Sequence, residues 1–237
     1  MLKNYKSNCI TYKEIILMIK RLIFDVDGTL ITGVNFIDSI RRTLNKLGIY
    51  SEDHVKLFLE GIKTYEQLHD NYNIKSYTEH FEHVLNNRLP ENFVFAFWEE
   101  LRSAVPPKND RLIDAISKLS QRYELVLLTN YFAVSQLNRL DNMEIGGFFE
   151  ECYGEHCIKP NKQAYLDACA NNKAEECIMI GDDLYLDIER AKEEGLSTIF
   201  VNSKGIKTNS SIGMTVDSVE NISNELISRM EQKDFER

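Results

Sequence analysis

The sequence contains no long hydrophobic run. No stretch of its 237 residues approaches the roughly 20 consecutive apolar residues that a membrane-spanning helix needs. Glycine and proline are few, 11 and 4 residues, which excludes collagenous and low-complexity chains. With 43% hydrophobic residues, the chain is typical of a globular protein of one large domain or two small ones, long enough to bury a substantial core.

Signals for disulfides and for secretion are also absent. The 5 cysteines are odd in number and include no Cys-x-x-Cys pair, which favours reduced thiols in the cytoplasm. Residues 1–17 are polar, charges interrupt their apolar part and no small-residue cleavage site follows, so we expect a tail and not a signal peptide. Met18 directly precedes the first predicted strand, so Met1 and Met18 are alternative translation starts.

Positive charge is in deficit. The chain has 28 basic against 37 acidic residues and a net charge of −9. Such a surface repels the phosphates of nucleic acids and anionic lipids, so neither nucleic acid nor membrane is expected as a partner. A small anionic substrate remains compatible, because a local site can oppose the net charge. No pattern specifies an oligomeric state.

Hydrophobic periodicity divides the chain into two kinds of structure. Between residues 35 and 104, apolar residues at helical spacing predict several helices and no strand, which suits a small helical bundle. After residue 105, strands and helices alternate, which predicts an α/β fold with a parallel sheet and helices on both faces. The predicted strands are Leu22 to Phe24, Leu125 to Leu128, Ile178 to Ile180 and Thr198 to Val201, with a short candidate from Phe148 to Tyr153. The last two predicted helices are Ile188 to Glu194 and Val219 to Met230.

Polar residues follow three of these strands, where the carboxyl ends of parallel strands form the usual ligand site. Several carboxylates near one point repel one another, and a hard cation such as Mg²⁺ would compensate them. A lysine, a hydroxyl and the backbone N–H groups of a Gly28-Thr29 turn would complete a phosphate site. The residues that follow the strands are Asp25, Asp27, Thr129, Asn130, Asp182, Asp183 and Asp187, and Lys159 lies in the loop between the second and third of these strands.

The chemistry of such a cluster includes covalent catalysis. A carboxylate beside a neutralised phosphorus is a potential nucleophile, and a second carboxylate two residues on could protonate the leaving oxygen. Taken singly, Thr129-Asn130 reads as a helix cap and Lys159 as a solvated surface lysine. It is the order and the strand-end placement of all these groups together that favour function.

The motifs resemble those of the haloacid dehalogenase-like superfamily of phosphohydrolases. Asp25-Val26-Asp27-Gly28-Thr29-Leu30 is similar to its first motif, Thr129 to its second, Lys159-Pro160 to its third, and the segment 181–187 to its fourth. The resemblance spans about residues 19 to 205. It implies a Rossmann-like catalytic core over 18–34 and 105–237, with a helical-bundle cap domain over 35–104 inserted after the first motif.

The resemblance also implies a role for each residue of the motifs. Asp25 would be the nucleophile that forms an aspartyl-phosphate, and Asp27 the general acid/base. Thr129 would bind the phosphoryl oxygens, with Gly28, Thr29 and Asn130 as further substrate-binding residues, and Lys159 would neutralise charge. For the metal, Asp25, the backbone carbonyl of Asp27 and Asp182 would hold Mg²⁺. Asp183 and Asp187 would not bind the metal directly and would act through neighbouring residues of the site.

The expected function is therefore Mg²⁺-dependent hydrolysis of a small phosphomonoester, such as a nucleotide or sugar phosphate. Dehalogenases of this superfamily lack the second carboxylate, so Asp27 argues against dehalogenation. Two alternatives stay open. One is a sugar-phosphate phosphomutase on the same core, and the other is a non-catalytic phosphate-binding protein, which would be expected to lose Asp25, Asp27 or Lys159.

Overall fold

The computed structural model describes residues 18–207 and 213–233, so the expected tail over 1–17 lies outside the described residues. Its six strands form one parallel sheet in the order β3-β2-β1-β4-β5-β6. The first strand therefore occupies the middle of the sheet. The strands are β1 Arg21–Phe24, β2 Glu124–Leu128, β3 Glu151–Tyr153, β4 Cys177–Gly181, β5 Ser197–Val201 and β6 Met214–Val216.

The helices fall into two groups along the chain. Five of them, α1 to α5, lie between β1 and β2 with no strand between them, and the first four pack together. The fifth, α5, leads into β2, and the remaining helices connect or follow the later strands. The helices are α1 Ile37–Lys46, α2 Glu52–Leu68, α3 Ile74–Leu85, α4 Phe93–Arg102, α5 Asp110–Ser120, α6 Ala133–Asn142, α7 Lys162–Cys169, α8 Arg190–Glu193 and α9 Asn224–Lys233.

Side chains of the sheet alternate between two hydrophobic clusters, one on each face. In β1, Leu22 and Phe24 pack into one cluster, which includes residues of α5, α6 and α9. Ile23 points to the other face and packs with Ala164 and Tyr165 of α7. This alternation is what a pleated strand buried on both sides requires. The α/β fold class with helices on both faces of a parallel sheet is thus confirmed.

Helices α1 to α4, here called the helical segment, share a third cluster rich in aromatic rings. Phe58, Phe81 and Phe97 are fully buried or nearly so, and the Phe58 ring lies 4.4 Å from that of Phe81 and 4.9 Å from that of Phe97. The same cluster includes Phe132 and Ile158, which belong to loops beside the sheet. The helical segment therefore packs against the edge of the sheet at which the strands have their carboxyl ends. The division into separate domains at residues 34/35 and 104/105 stays a prediction.

Four local features differ from the sequence-based expectations. The short strand β6 was not expected, because three residues at a sheet edge carry too little periodicity. The final helix begins at Asn224 and not at Val219, because a 3₁₀ turn over Val219–Asn221 precedes it. Of the segment Phe148 to Tyr153, only the last three residues form a strand, after a 3₁₀ turn. The helix expected from Ile188 begins earlier, as a π-helical turn over Leu184–Glu189.

Membrane-spanning helices and disulfides can be looked for only in the part of the chain that the structure describes. Within residues 18–207 and 213–233, no helix is long and apolar enough to cross a membrane. The cysteines of those ranges, Cys152, Cys157, Cys169 and Cys177, are all unpaired. Cys9 lies outside the described residues.

The aromatic cluster of the helical segment should carry much of its stability. Phe81→Ala removes a fully buried ring and is expected to lower the free energy of unfolding by about 3–5 kcal/mol. Phe95, on α4, is 50% exposed, so Phe95→Ala should cost less than about 1 kcal/mol. Urea unfolding followed by circular dichroism measures both. Equal losses would contradict this description of the core.

Candidate active site

The carboxyl ends of β1, β2 and β4 lie side by side because β1 pairs with both other strands. Its last residue, Phe24, is in register with residues at or next to the ends of β2 and β4. Asp25, Thr129 and Asp182 each follow one of these strands directly. The sheet therefore brings together three polar groups that are far apart in the sequence.

Lys159 joins this edge from the loop between β3 and α7. Its side chain is only 3% exposed, and Nζ donates to Oδ1 of Asp25 (2.9 Å) and to Oδ1 of Asp187 (2.6 Å). Asn130 fixes the backbone of this lysine: its Oδ1 accepts from the Lys159 N–H (2.8 Å), and its Nδ2 donates to the Lys159 carbonyl (2.9 Å). The ammonium group is thus held between two buried carboxylates.

Three carboxylates converge beside this ammonium group. Oxygens of Asp25, Asp182 and Asp187 all lie within 4.8 Å of one another. A Cβ atom on Gly28 would collide with the Asp182 carboxylate, and one on Gly181 would collide with that of Asp187. Glycine at both positions therefore permits the close approach. Hard carboxylate oxygens in such a group are the ligands that Mg²⁺ prefers.

The adjacent residues Asp182 and Asp183 have different partners. Asp182 Oδ2 accepts from Nζ of Lys204 (2.8 Å). Asp183 Oδ1 accepts from the backbone N–H groups two and three residues on (2.9 and 2.8 Å), and so caps the turn Leu184–Glu189. The Asp183 N–H donates to Oδ2 of Asp187 (3.0 Å). Asp183 therefore shapes the turn that directs Asp187 into the site.

Burial controls the ionisation of this cluster. Desolvation raises the pKa of Asp25 to about 7, although attraction by Lys159 lowers it, while repulsion from Asp187 raises it further. The pKa of Asp187 is raised as well, mainly by burial, and Lys159 again opposes the shift. For Lys159, burial alone lowers the pKa, but the charges of Asp187 and Asp25 outweigh it and the pKa is raised. The lysine thus stays charged.

Asp27 is not part of the group of three convergent carboxylates and is held by two residues of α6. Arg139 Nη1 lies 2.8 Å from Oδ1 and 3.0 Å from Oδ2 of Asp27. Gln136 Nε2 donates to Asp27 Oδ2 (2.8 Å) and to the hydroxyl of Thr129 (3.0 Å). Arg139 also donates to the carbonyl of Ala104, where the helical segment ends. The two carboxylates of the first motif are therefore in different environments.

Gly28 and Thr29 do not line the cavity between the sheet edge and the helical segment. The Gly28 N–H donates to the Ile31 carbonyl (2.9 Å), and the Thr29 N–H donates to that of Val26 (3.3 Å). In this geometry neither N–H is free for a phosphate, because the turn uses both. The Thr29 hydroxyl is buried. Their expected substrate contacts stay a prediction.

The cavity that contains the cluster has a volume of about 380 Å³, within the range of small-molecule sites. Its lining includes all residues of the expected site except Gly28 and Thr29, together with side chains from the helical segment. The residues expected from the sequence are Asp25, Asp27, Thr129, Asn130, Lys159, Asp182, Asp183 and Asp187, and those of the helical segment and its junctions are Phe36, Ile62, Glu66, Tyr72, Phe97 and Leu101.

Sequence reasoning missed four polar residues of this site. Gln136 and Arg139 are three residues apart on α6 and so share a face, which is a weak signal by itself. Glu66 lies on α2 and lines the cavity. Lys204 follows β5 and pairs with Asp182. A lysine or glutamate in a polar loop or helix carries no motif, so only the tertiary structure identifies the last two.

The chain matches a known family along most of its length. The family model described as haloacid dehalogenase-like hydrolase matches residues 19–195. The chain therefore belongs to the haloacid dehalogenase-like hydrolases. The match confirms the resemblance seen in the motifs. It also confirms the prediction that the chain is an enzyme, a hydrolase.

Two relatives at the sequence level carry the same name. A glyceraldehyde 3-phosphate phosphatase of Methanothermobacter thermautotrophicus is 28% identical over 204 residues, which cover 79% of this chain and 87% of that one. The glyceraldehyde 3-phosphate phosphatase of Pyrococcus abyssi is 26% identical over 208 residues, covering 77% and 81%. Both matches thus extend over most of each chain.

Solved structures show the same fold at lower identity. The HAD-hydrolase YfnB of Bacillus subtilis, bound to magnesium, superposes with a TM-score of 0.64 at 19% identity, covering 91% of this chain and 99% of that one. A 2-haloacid dehalogenase of Pseudomonas syringae has a TM-score of 0.68, also at 19% identity, covering 90% and 100%. At these identities the likeness establishes the fold alone.

The ionisation of Asp25 should make the stability of the metal-free protein depend on pH. Its folded pKa of about 7 exceeds the value of about 3.9 in an unfolded chain. Its favourable contribution is therefore complete below about pH 4 and is lost as the pH rises through 7. In EDTA, Asp25→Asn should gain stability relative to the wild type, by a few kcal/mol between pH 5 and 8.

Urea unfolding of both proteins at several pH values measures this difference. The comparison cancels the titration of surface groups that the two proteins share. A difference in the free energy of unfolding that stays constant from pH 5 to 8 would contradict the burial-driven shift of Asp25.

Proposed function

We propose that this hydrolase is a Mg²⁺-dependent phosphatase that cleaves a small phosphomonoester through an aspartyl-phosphate intermediate. The observation that carries the proposal is the contact of Lys159 with Asp25 and Asp187 at a sheet edge that opens into a small-molecule cavity. An ammonium group fixed beside a carboxylate lets that carboxylate receive a dianionic phosphoryl group.

In the first step, the Asp25 carboxylate attacks phosphorus and the ester oxygen leaves. Lys159 compensates the charge that builds up on the phosphoryl oxygens. The Thr129 hydroxyl accepts from Gln136, so its own proton is available to a phosphoryl oxygen. These contacts act on the group being transferred and orient it toward Asp25.

Asp27 is the candidate for the two proton transfers. It would give a proton to the leaving oxygen in the first step and take one from the water that attacks the aspartyl-phosphate in the second. Arg139 and Gln136 restrict its rotation, so we assign them a positioning role. The products are the free alcohol and inorganic phosphate, and Asp25 is regenerated.

The donor set fits Mg²⁺. Asp25 and Asp182 would hold it, with the backbone carbonyl of Asp27, and Asp187 completes the group of convergent carboxylates. When bound, Mg²⁺ supplies charge neutralisation for the phosphoryl oxygens. Gly28 keeps open the space that Asp182 needs to approach the first motif.

The helical segment would act as a cap over the reaction. Phe36, Ile62 and Phe97 line the cavity above the strand ends. Their apolar side chains would exclude bulk water while the phosphoryl group is attached to Asp25. The cavity of about 380 Å³ that they line has room for a small alcohol. Together with relatives named glyceraldehyde 3-phosphate phosphatase, this supports a small sugar phosphate as substrate.

Phosphate release from a panel of phosphomonoesters tests the reaction class. We expect turnover with Mg²⁺, none with EDTA, and a loss of at least a thousandfold in Asp25→Asn, because the nucleophile is absent. Asp38→Asn, an exposed carboxylate of α1, serves as control and should retain turnover. Unchanged turnover in Asp25→Asn would refute the mechanism. Interconversion of sugar phosphates without phosphate release would instead indicate a mutase.

Lys204 should compete with the metal. Its ammonium group pairs with Oδ2 of Asp182 at 2.8 Å, so its positive charge disfavours a second cation at the same carboxylate. Lys204→Ala is therefore expected to lower the Kd for Mg²⁺ several-fold, as measured by isothermal titration calorimetry. Lys207→Ala removes an exposed lysine of the same loop and controls for net charge. An equal change in both variants would show that the specific ion pair has no effect.

A further inference from the structure

A carboxylate outside the catalytic cluster lines the same cavity. Glu66 lies on α2, is partly buried, and accepts a hydrogen bond of 2.7 Å from the hydroxyl of Tyr72 through Oε1. Within residues 18–207 and 213–233, Glu66 forms no ion pair. An ionised carboxylate accepts about four hydrogen bonds, so capacity remains for a ligand in the cavity.

The position of this carboxylate is set by contacts between the helical segment and the catalytic loops. The Tyr72 N–H donates to the Glu155 carbonyl (2.7 Å), and the Ile158 N–H donates to the Asp70 carbonyl (2.9 Å). The Tyr72 ring is 3% exposed. The α2–α3 connection is therefore attached to the loop that carries Lys159, and Tyr72 presents its hydroxyl to Glu66 from a fixed place.

The surroundings of Glu66 are partly apolar. Burial raises its pKa, although the hydrogen bond from Tyr72, the nearby amide of Asn130 and the attraction of Lys159 oppose the shift. Ile62, one turn earlier on α2, lines the cavity with other apolar side chains. In such an environment, the electrostatic interaction between Glu66 and a charged group of a ligand is stronger than it would be in water.

Among the residues that the structure describes, the cavity offers no spare cation for a second anionic group. Its lining contains two cationic side chains, Arg139 and Lys159. Arg139 is engaged by Asp27, and Lys159 is engaged by Asp25 and Asp187. A substrate carboxylate or second phosphate near Glu66 would therefore meet a negative charge and no compensating partner.

We infer that Glu66, oriented by Tyr72, determines substrate specificity by accepting a hydrogen bond from a hydroxyl or ammonium group on the alcohol part of the phosphate ester. The same charge excludes esters that carry a second anionic group. This inference rests on the proposed phosphatase function. It assigns Tyr72 a positioning role, because the tyrosine acts through Glu66.

Four esters separate these chemistries. Glyceraldehyde 3-phosphate offers a neutral hydroxyl, O-phosphoethanolamine an ammonium group, and 3-phosphoglycerate a hydroxyl together with a carboxylate. The leaving group of p-nitrophenyl phosphate has no hydrogen-bond donor, so this ester reports the phosphatase chemistry itself. The wild type is expected to prefer either donor-bearing, non-anionic ester to 3-phosphoglycerate by at least tenfold in kcat/KM. The kcat/KM values for glyceraldehyde 3-phosphate and O-phosphoethanolamine, compared with each other, show whether Glu66 accepts from a hydroxyl or from an ammonium group.

Glu66→Gln tests the role of the charge while keeping the size of the side chain. The ratio of kcat/KM for the preferred ester to that for 3-phosphoglycerate should fall at least tenfold. Tyr72→Phe should lower this ratio less, because the carboxylate remains but loses its partner. Glu60→Gln, an exposed glutamate of the same helix, should leave the ratio unchanged. A ratio unaltered in Glu66→Gln, or a wild type that prefers 3-phosphoglycerate, would overturn the inference.

A binding measurement distinguishes failure of this inference from failure of the proposed function. If the wild type cleaves neither p-nitrophenyl phosphate nor the other esters, the phosphatase function has failed. The selectivity can then still be measured by calorimetry. The Kd values of glyceraldehyde 3-phosphate and 3-phosphoglycerate are compared in the Asp25→Asn variant and in the variant that carries both Asp25→Asn and Glu66→Gln. The inference requires that the ratio of the two Kd values shift at least tenfold toward 3-phosphoglycerate, and an unchanged ratio would reject it.

Discussion

The site depends on one buried ammonium group held between two buried carboxylates. Lys159 contacts Asp25 and Asp187, and all three side chains are almost completely removed from solvent. Without the lysine, two anions would be buried without a partner, at a cost of several kcal/mol. The surrounding contacts serve this arrangement. Asn130 holds the lysine backbone from the β2 side, and the helical segment is bonded to the loop just before it.

The two parts of the protein contribute different groups to one cavity. Strand ends of the sheet supply the groups suited to covalent chemistry on phosphorus, since parallel strands place their carboxyl ends at one edge. The helical segment supplies apolar walls and Glu66, which line the same cavity. Family membership therefore informs on the reaction, whereas the substrate depends on side chains that the family motifs do not include.

Prediction from the sequence succeeded where a pattern is both local and strong. Leu125 to Leu128 is an aliphatic run that predicts a buried strand, and the strand is present. It failed where tertiary contacts decide the geometry. The helix expected from Val219 begins five residues later, after a 3₁₀ turn. The N–H groups of Gly28 and Thr29 are bonded within their own turn, which spacing alone does not reveal, and their expected substrate contacts stay a prediction.

The sequence by itself determined the fold class and the family, and it predicted the main acidic and basic residues of the candidate site, because motifs at strand ends combine local spacing with a known sheet topology. Only the tertiary structure decided how those groups are partnered. Arg139 reaches Asp27 across 112 positions of sequence, and Tyr72 orients Glu66 within the helical segment. Such pairings depend on how helices pack against the sheet edge, and helix packing leaves no fixed spacing in a sequence.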